Sequence, residues 1–204
     1  MKPVSKKAEA VRASTTLAVD SMAKQMKADG YDVVGFGTGE PDFETPENIS
    51  FAAIDAIKSG KTKYTPAAGI VPLRKAIAEQ LKREGYDYDY TQIVVASGAK
   101  HSLFIALSAI TNPGDEIILP APYWVSYYEM IKMTDGKPVV ISAGEEQNFK
   151  ITAEQLEAAI SDKTKALVLN NPSNPTGMIY NRDELKELVD VCVKHDLYII
   201  ADEI

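Results

Sequence analysis

With a single cysteine, Cys192, and two histidines, His101 and His195, the sequence has no material for an internal disulfide. It also has no Cys/His spacing of the kind that holds zinc, so no metal site is expected. Cys192 reads as a small apolar residue on a helix. Basic residues are in the minority, 22 against 29 acidic ones, and the net charge is -7. That balance speaks against nucleic acid or an anionic membrane surface as partner, since both are held by clustered Lys and Arg. The basic start, Lys2, Lys6, Lys7 and Arg12, is too short and interrupted to reverse it. No continuous apolar segment follows, so no signal peptide is read there, and no later run is long enough to span a bilayer. A cytoplasmic protein is the expectation.

What is present is an ordinary globular composition, 45% hydrophobic and 25% charged over 204 residues, enough to bury a real core. From Gln92 onward, short β-branched runs alternate with helical patterns at the rhythm of βα units. The expected strands are 92–96, 116–119, 138–141, 165–170 and 197–201, with helices at 100–110, 123–134, 153–160 and 183–196. Thr152 with Gln155, and Asn181 with Glu184, have the spacing of reciprocal helix caps. Earlier, Thr45-Pro46 opens a helix through Ile49, Ala53 and Ile57, Pro72 opens another that ends near Gly85, and an arm from Thr16 to Asp29 is helical. Runs such as Ala-Leu-Val-Leu and Leu-Tyr-Ile-Ile lack polar alternation, as strands covered on both faces do. The fold class expected is three-layer α/β: a mostly parallel sheet with helices on both faces, plus an N-terminal arm. The chain stops at Ile204 just after a buried-type strand, which reads as a truncation.

In parallel α/β sheets ligands gather at the carboxyl ends of strands, and four such places carry chemistry. Ser97-Gly98-Ala99-Lys100 turns a strand into a helix through glycine and leaves backbone N–H groups free for an anion such as phosphate, although any tight βα turn favours glycine. Asn170-Asn171-Pro172-Ser173-Asn174-Pro175-Thr176-Gly177 makes a rigid turn on the plainer reading, and a pinned amide for a ligand's oxygen on the other. Asp202, an acid after Leu-Tyr-Ile-Ile-Ala, needs a cationic partner, either Lys or Arg elsewhere or a charged cofactor nitrogen. Trp124, in Pro120-Ala121-Pro122-Tyr123-Trp124, is core filler or a flat face for a ring. Together they suggest a planar, phosphorylated cofactor with a cationic ring.

These segments, with Thr38-Gly39-Glu40-Pro41-Asp42-Phe43, Lys63-Tyr64-Thr65-Pro66, Gly69 and Asp202-Glu203-Ile204, resemble those of class I aminotransferases in the family's order, most like the aspartate-type enzymes of bacteria. The Asn-Pro-x-Asn-Pro-Thr-Gly segment is highly specific, and the match runs from about residue 4 to the end. The resemblance implies pyridoxal 5'-phosphate and the fold type I transferase architecture. Residues 1–45 would be the arm and a small-domain segment, and 46–204 the first part of a cofactor-binding large domain that is incomplete. It places Gly98, Ala99 and Lys100 beside the cofactor phosphate, Trp124 against the pyridine ring and Asn174 on its 3-oxygen. Asp202, the one catalytic assignment, would keep the ring nitrogen protonated. Gly39 would meet the substrate carboxylate through its backbone, and Tyr64 would reach the phosphate of a neighbouring subunit in a homodimer. Arg12 and Thr16, with Ser14, belong to an arm that closes over the substrate, where Lys100 meets a distal carboxylate. Ala121-Pro122 and Asn174-Pro175 are expected to be cis.

The family's Schiff-base lysine and phosphate- and carboxylate-gripping arginines have no match in these 204 residues and are expected beyond Ile204, so the chain alone is expected to be inactive. The function implied is transfer of an amino group between an L-amino acid, aspartate foremost, and a 2-oxo acid, with prephenate as an open second acceptor. Three rivals stand beside it. A lyase or synthase of the same cofactor fold uses the same cradle. A non-catalytic fragment or split gene product keeps the fold without the activity. Ser97-x-x-Lys100 also fits the signature of penicillin-recognising hydrolases, but the Ser-Asp-Asn and Lys-Thr-Gly motifs of that class are absent.

Overall fold

The computed structural model describes residues 2–12, 14–37, 39 and 41–203. Thr38 and Glu40 of the glycine-containing segment, and Ile204 of the last motif, lie outside them. Along the chain come α1 (Lys6–Glu9), α2 (Thr15–Ala28), α3 (Glu47–Lys58), α4 (Val71–Arg83), α5 (Ala99–Ile110), β1 (Glu116–Ala121), α6 (Val125–Met133), β2 (Lys137–Ser142), α7 (Ala153–Ala159), β3 (Thr164–Asn170), α8 (Arg182–Lys194) and β4 (Tyr198–Asp202). The chain divides into two units, Met1–Arg12 with Ser97–Ile204, and Ala13–Ala96.

The first unit is built on a sheet of order β2-β1-β3-β4, parallel at every pairing. Successive side chains of a strand point to opposite faces, and the apolar runs fill both. Ile117 and Leu119 of β1, with Ala166 and Val168 of β3, meet Leu103 and Leu107 of α5 and Tyr127, Met130 and Ile131 of α6. Ile118, Leu167 and Leu169 face the other way, onto Leu156 of α7 and Leu188 and Cys192 of α8. Each Leu or Ile buried so fully contributes about 1.5–3 kcal/mol. The unit is therefore three-layered, helices on both faces of a parallel sheet.

The helices take their faces from the handedness of the crossovers. From β1 the chain steps outward to β2 through α6 on one face, then returns past β1 to β3 through α7 on the other, and continues to β4 through α8 on that same face. Right-handed connections require this change of face when the direction of travel reverses. The reversal leaves a switch point between β1 and β3, and a crevice opens outside the carboxyl ends of such strands.

Local signals end the elements where the side chains direct. Thr152 with Gln155 and Asn181 with Glu184 form capping boxes at the starts of α7 and α8. On α8, Leu188 and Cys192 lie one turn apart and are buried, while Lys186 and Asp190 pair on the solvent side. The short α1 begins at Ser5, whose hydroxyl accepts from the Ala8 N–H, and the Lys132 ammonium of α6 donates to the Ala10 carbonyl at 2.9 Å.

The second unit holds α2, α3 and α4. Ser14 caps α2 by accepting from the Leu17 N–H, Pro46 precedes α3, and Pro72 sits in the first turn of α4. Gly69, at φ 97°, lets the chain pass close to Val95, because a Cβ there would stand 2.8 Å from the valine side chain. None of its described residues is fully buried, and Phe36 is 93% exposed.

The strand expected at 92–96 does not form. A 3-10 turn at Tyr90–Gln92 takes its place, with the Gln92 side chain accepting from the Asp89 N–H. Beyond it the backbone is satisfied singly: the Val95 N–H donates to Ala68 O at 3.0 Å and Arg74 Nε to Ile93 O at 2.8 Å. A β-branched run becomes a strand only with a ladder partner, and among the described residues Ile93–Val95 has none. No helix of the described residues is long and apolar enough to cross a membrane.

Candidate functional site

The crevice at the switch point is lined by Pro120 of β1 and Pro122 just beyond it, Tyr127 of α6, and Asn170, Ser173 and Asn174 at and after the end of β3. Register places Asn170 directly beside Asp202 of β4, so the last residues of the two strands meet at its edge.

Asp202 is half-buried and held by three hydrogen bonds at two atoms. Its backbone carbonyl accepts from Asn170 Nδ2 at 2.9 Å and from the Asn171 N–H at 3.1 Å. Its Oδ2 accepts from the Tyr127 hydroxyl at 2.5 Å. Burial, and then the bond to this carboxylate, push the Tyr127 phenol far above the ordinary tyrosine range, so it stays protonated and donates. Among the described residues no hydrogen bond reaches Asp202 Oδ1.

The three asparagines of the following segment divide the work. Asn170 Oδ1 accepts from the Asn174 N–H at 2.6 Å, while Asn171 Oδ1 accepts from the Tyr180 N–H at 2.9 Å. The loop closes on itself through Gly177 N–H to Ser173 O and Ser173 N–H to Met178 O. Both of those amides are committed to the protein. The Asn174 carboxamide is exposed and makes no hydrogen bond among the described residues, which leaves it for a ligand. Ala121-Pro122 and Asn174-Pro175 are both cis, and so is Asn171-Pro172, which was not anticipated.

At the start of α5, Gly98 sits at φ 82° and ψ 164°, a conformation open to glycine, and no side chain caps the helix. Its carbonyl accepts from the His101 and Ser102 N–H groups, while those of Gly98, Ala99 and Lys100 have no partner among the described residues. Three free donors at a helix N-terminus suit an anion. The Ser97 N–H is taken by His101 Nδ1 at 3.3 Å, which ties the approach of the chain to the first turn.

Trp124 joins the two ends of the site. It stands at the start of α6, half-buried, with the Tyr127 ring packed perpendicular to it, 5.3 Å between centres and 85° between planes. The Lys100 ammonium lies over it, 4.8 Å from the ring centre. Contacts thus run without a break from Lys100 to Trp124, Tyr127, Asp202, Asn170 and Asn174.

The remaining residues singled out by sequence fall elsewhere. Arg12 belongs to the same unit, is exposed, and its charge opposes the burial that pushes the Tyr123 phenol up. Thr16, Gly39 and Tyr64 belong to the unit Ala13–Ala96, where all three are exposed and Tyr64 fully so. Tyr127 was missed, and Asn170, though part of the Asn-Pro segment, was given no role of its own. One signal existed for Tyr127: a tyrosine three residues after Trp124, on a helix face that is otherwise apolar, must find a partner for its hydroxyl.

Known proteins match the chain over nearly its whole length. It fits the family described as aminotransferase class I and II at residues 31–204. It is 53% identical over 192 residues to an aspartate aminotransferase of Bacillus sp. (strain YM-2), covering 94% of this chain and 49% of that protein. A probable aspartate/prephenate aminotransferase of Rhizobium leguminosarum bv. phaseoli is 53% identical over 195 residues, covering 95% of this chain and 49% of its own. Among solved structures, the aspartate aminotransferase from Thermus thermophilus with maleate superposes with a TM-score of 0.96 at 42% identity, over 100% of this chain and 54% of that one. The chain spans about half the length of the curated relatives it matches.

Proposed function

The chain belongs to the aminotransferase class I and II family, and from that premise we propose that it forms the first half of a pyridoxal-phosphate cradle in an enzyme that moves an amino group between an L-amino acid, aspartate foremost, and a 2-oxo acid. The observation that carries the proposal is the unbroken set of contacts from Lys100 to Asn174 at the carboxyl ends of β1, β3 and β4.

The donor set fits that cofactor. Three unpartnered N–H groups at Gly98, Ala99 and Lys100 offer an anion site, and a Cβ built at Gly98 meets no atom within 4 Å, so the space before them is open. Asp202 presents a carboxylate whose second oxygen is unused among the described residues, the complement of a protonated ring nitrogen. Trp124 supplies a flat face, and Asn174 a spare carboxamide for the ring's 3-oxygen. Bound there, the cofactor supplies an electron-accepting ring, which the protein tunes through the charge opposite its nitrogen.

The chain's own groups then have these roles. Gly98, Ala99 and Lys100 hold the phosphate, Trp124 fixes the ring plane, and Asp202 retains the proton on the ring nitrogen. The Gly39 backbone, Arg12, Thr16 and Lys100 act on the substrate, the two cations on a distal carboxylate such as that of aspartate. Tyr64 reaches the phosphate site of a second copy, and its complete exposure supports a homodimer in which it becomes covered. The division into an arm and small-domain segment at 1–45 and a large-domain part at 46–204, and a cytoplasmic location, complete the reading. No lysine of these residues stands where the family's proton-shuttling lysine belongs, so the 204 residues alone do not transaminate.

Titration of pyridoxal phosphate, followed by quenching of Trp124, the sole tryptophan, tests the cradle. Saturable binding that weakens in Asp202→Ala and Gly98→Val is the expected result. The 204-residue chain should show no turnover of aspartate with 2-oxoglutarate, since positioned acid–base help of the missing kind is worth ~10²–10⁴-fold. Absence of binding removes the cradle, and turnover lost in Asp202→Ala removes the claim that the lysine lies elsewhere.

A further inference from the structure

Tyr127 is 2% exposed, and among the described residues its hydroxyl has one partner, Asp202 Oδ2 at 2.5 Å. A phenol so buried must donate to an acceptor or leave a polar group unmet, and burial keeps its proton in place. The same ring meets Trp124 edge-on at 5.3 Å. One side chain therefore touches both groups that would contact a single planar ring, the carboxylate at its nitrogen and the indole on its face.

We propose that Tyr127 is a positioning residue that sets Asp202 and Trp124 in register for one cationic aromatic ligand. The inference rests on the cofactor reading above and deepens it. Three features of the geometry carry it. Oδ2 is committed to the tyrosine, so the carboxylate cannot turn freely, and Oδ1, with no hydrogen bond among the described residues, is the oxygen left for a ring N–H. The strand end beneath is held separately, through the Asp202 carbonyl by Asn170 and Asn171, so backbone and carboxylate have independent supports. The near-perpendicular packing of the two rings, 5.3 Å between centres, restrains the plane of Trp124. Such a support is specific to ligands that carry a proton on the ring nitrogen. It is indifferent to the phosphate.

The experiment compares two ligands by quenching of Trp124 in the full chain: pyridoxine 5'-phosphate, and its 1-deaza analogue in which carbon replaces the ring nitrogen. In the unaltered protein the nitrogen-bearing ligand binds more tightly. Tyr127→Phe, which removes one hydroxyl and keeps the ring, should reduce that preference about tenfold and leave the deaza analogue's affinity within about twofold. Asp202→Asn should abolish the preference, and adding Tyr127→Phe to it should change nothing more. Equal weakening of both ligands by Tyr127→Phe would make the residue a packing element and overturn the inference, as would an unchanged preference. Failure of the unaltered protein to bind either ligand would instead bring down the cofactor reading, and this inference with it.

Discussion

The ammonium of Lys100 lies over the ring of Trp124, 4.8 Å from its centre, and makes no ion pair among the described residues. A cation–π contact at an exposed site is worth about 0.5–1 kcal/mol, enough to bias the side chain and too little to hold it against a carboxylate. Lys100 is thus held loosely beside the ring it adjoins, and its charge is available to an anion.

The first prediction follows from that freedom. In the full enzyme, Lys100→Ala should raise the KM for aspartate more than that for alanine, which has no distal carboxylate. Steady-state kinetics with both donors decides it, and equal effects would take Lys100 out of substrate choice.

Asn170 ties β4 to the loop after β3, donating to Asp202 O at 2.9 Å and accepting from the Asn174 N–H at 2.6 Å. Asn170→Ala should lower stability by about 0.5–1.5 kcal/mol, since two hydrogen bonds are lost while the Asp202 carbonyl keeps the Asn171 N–H. It should also weaken cofactor binding through the displaced Asn174. An unchanged denaturation midpoint would show that the loop is held by its own Ser173–Met178 bonds instead.

Tyr180 is buried, and its oxygen accepts from the Ile151 N–H at 2.9 Å. Burial raises its phenol above the usual value, as it does that of Tyr127. A folded-state pKa above the unfolded one gives stability that is complete below the unfolded value, about 10, and lost as pH rises beyond it. Stability should therefore fall steeply above about pH 10. Tyr180→Phe should flatten that decline while costing about 1–3 kcal/mol at neutral pH, because Ile151 loses its acceptor. Denaturant unfolding across the range measures both, and a decline of the same slope in the variant would contradict the assignment.

Glu116, buried at the start of β1, binds Lys137 Nζ at 2.8 Å and the Ser161 hydroxyl at 2.7 Å, and these bonds hold its carboxyl below the ordinary value against the effect of burial. The sign is opposite to that of the tyrosines: the stabilisation is present above the unfolded carboxyl pKa and lost as pH falls through the lower folded one. Glu116→Gln should be less stable than the unaltered protein at pH 7, and the two should converge in acid. A constant difference down to the acid limit would assign the effect to packing alone.

Much of the fold was legible because its signals are local or fill both faces of a strand. Thr152 and Gln155 meet within one turn, so a capping box can be read from spacing, and the apolar runs of β1 and β3 need covering on both sides wherever they lie. The run Ile93–Val95 misled for the complementary reason. Its β-branched residues have strand character, but a ladder is a property of two segments.

The sequence by itself determined the βα rhythm, the caps, the glycine turn at Gly98 and the presence of an acid, an indole and a pinned amide near strand ends. Only the tertiary structure decided which of three asparagines is free, because Asn170 and Asn171 are consumed by Asp202 O and the Tyr180 N–H. It alone showed that Tyr127 serves Asp202, a partner 75 residues away. A buried hydroxyl must find an acceptor, but the chain's order does not say where, and the parallel register that brings β4 beside β3 supplies the answer.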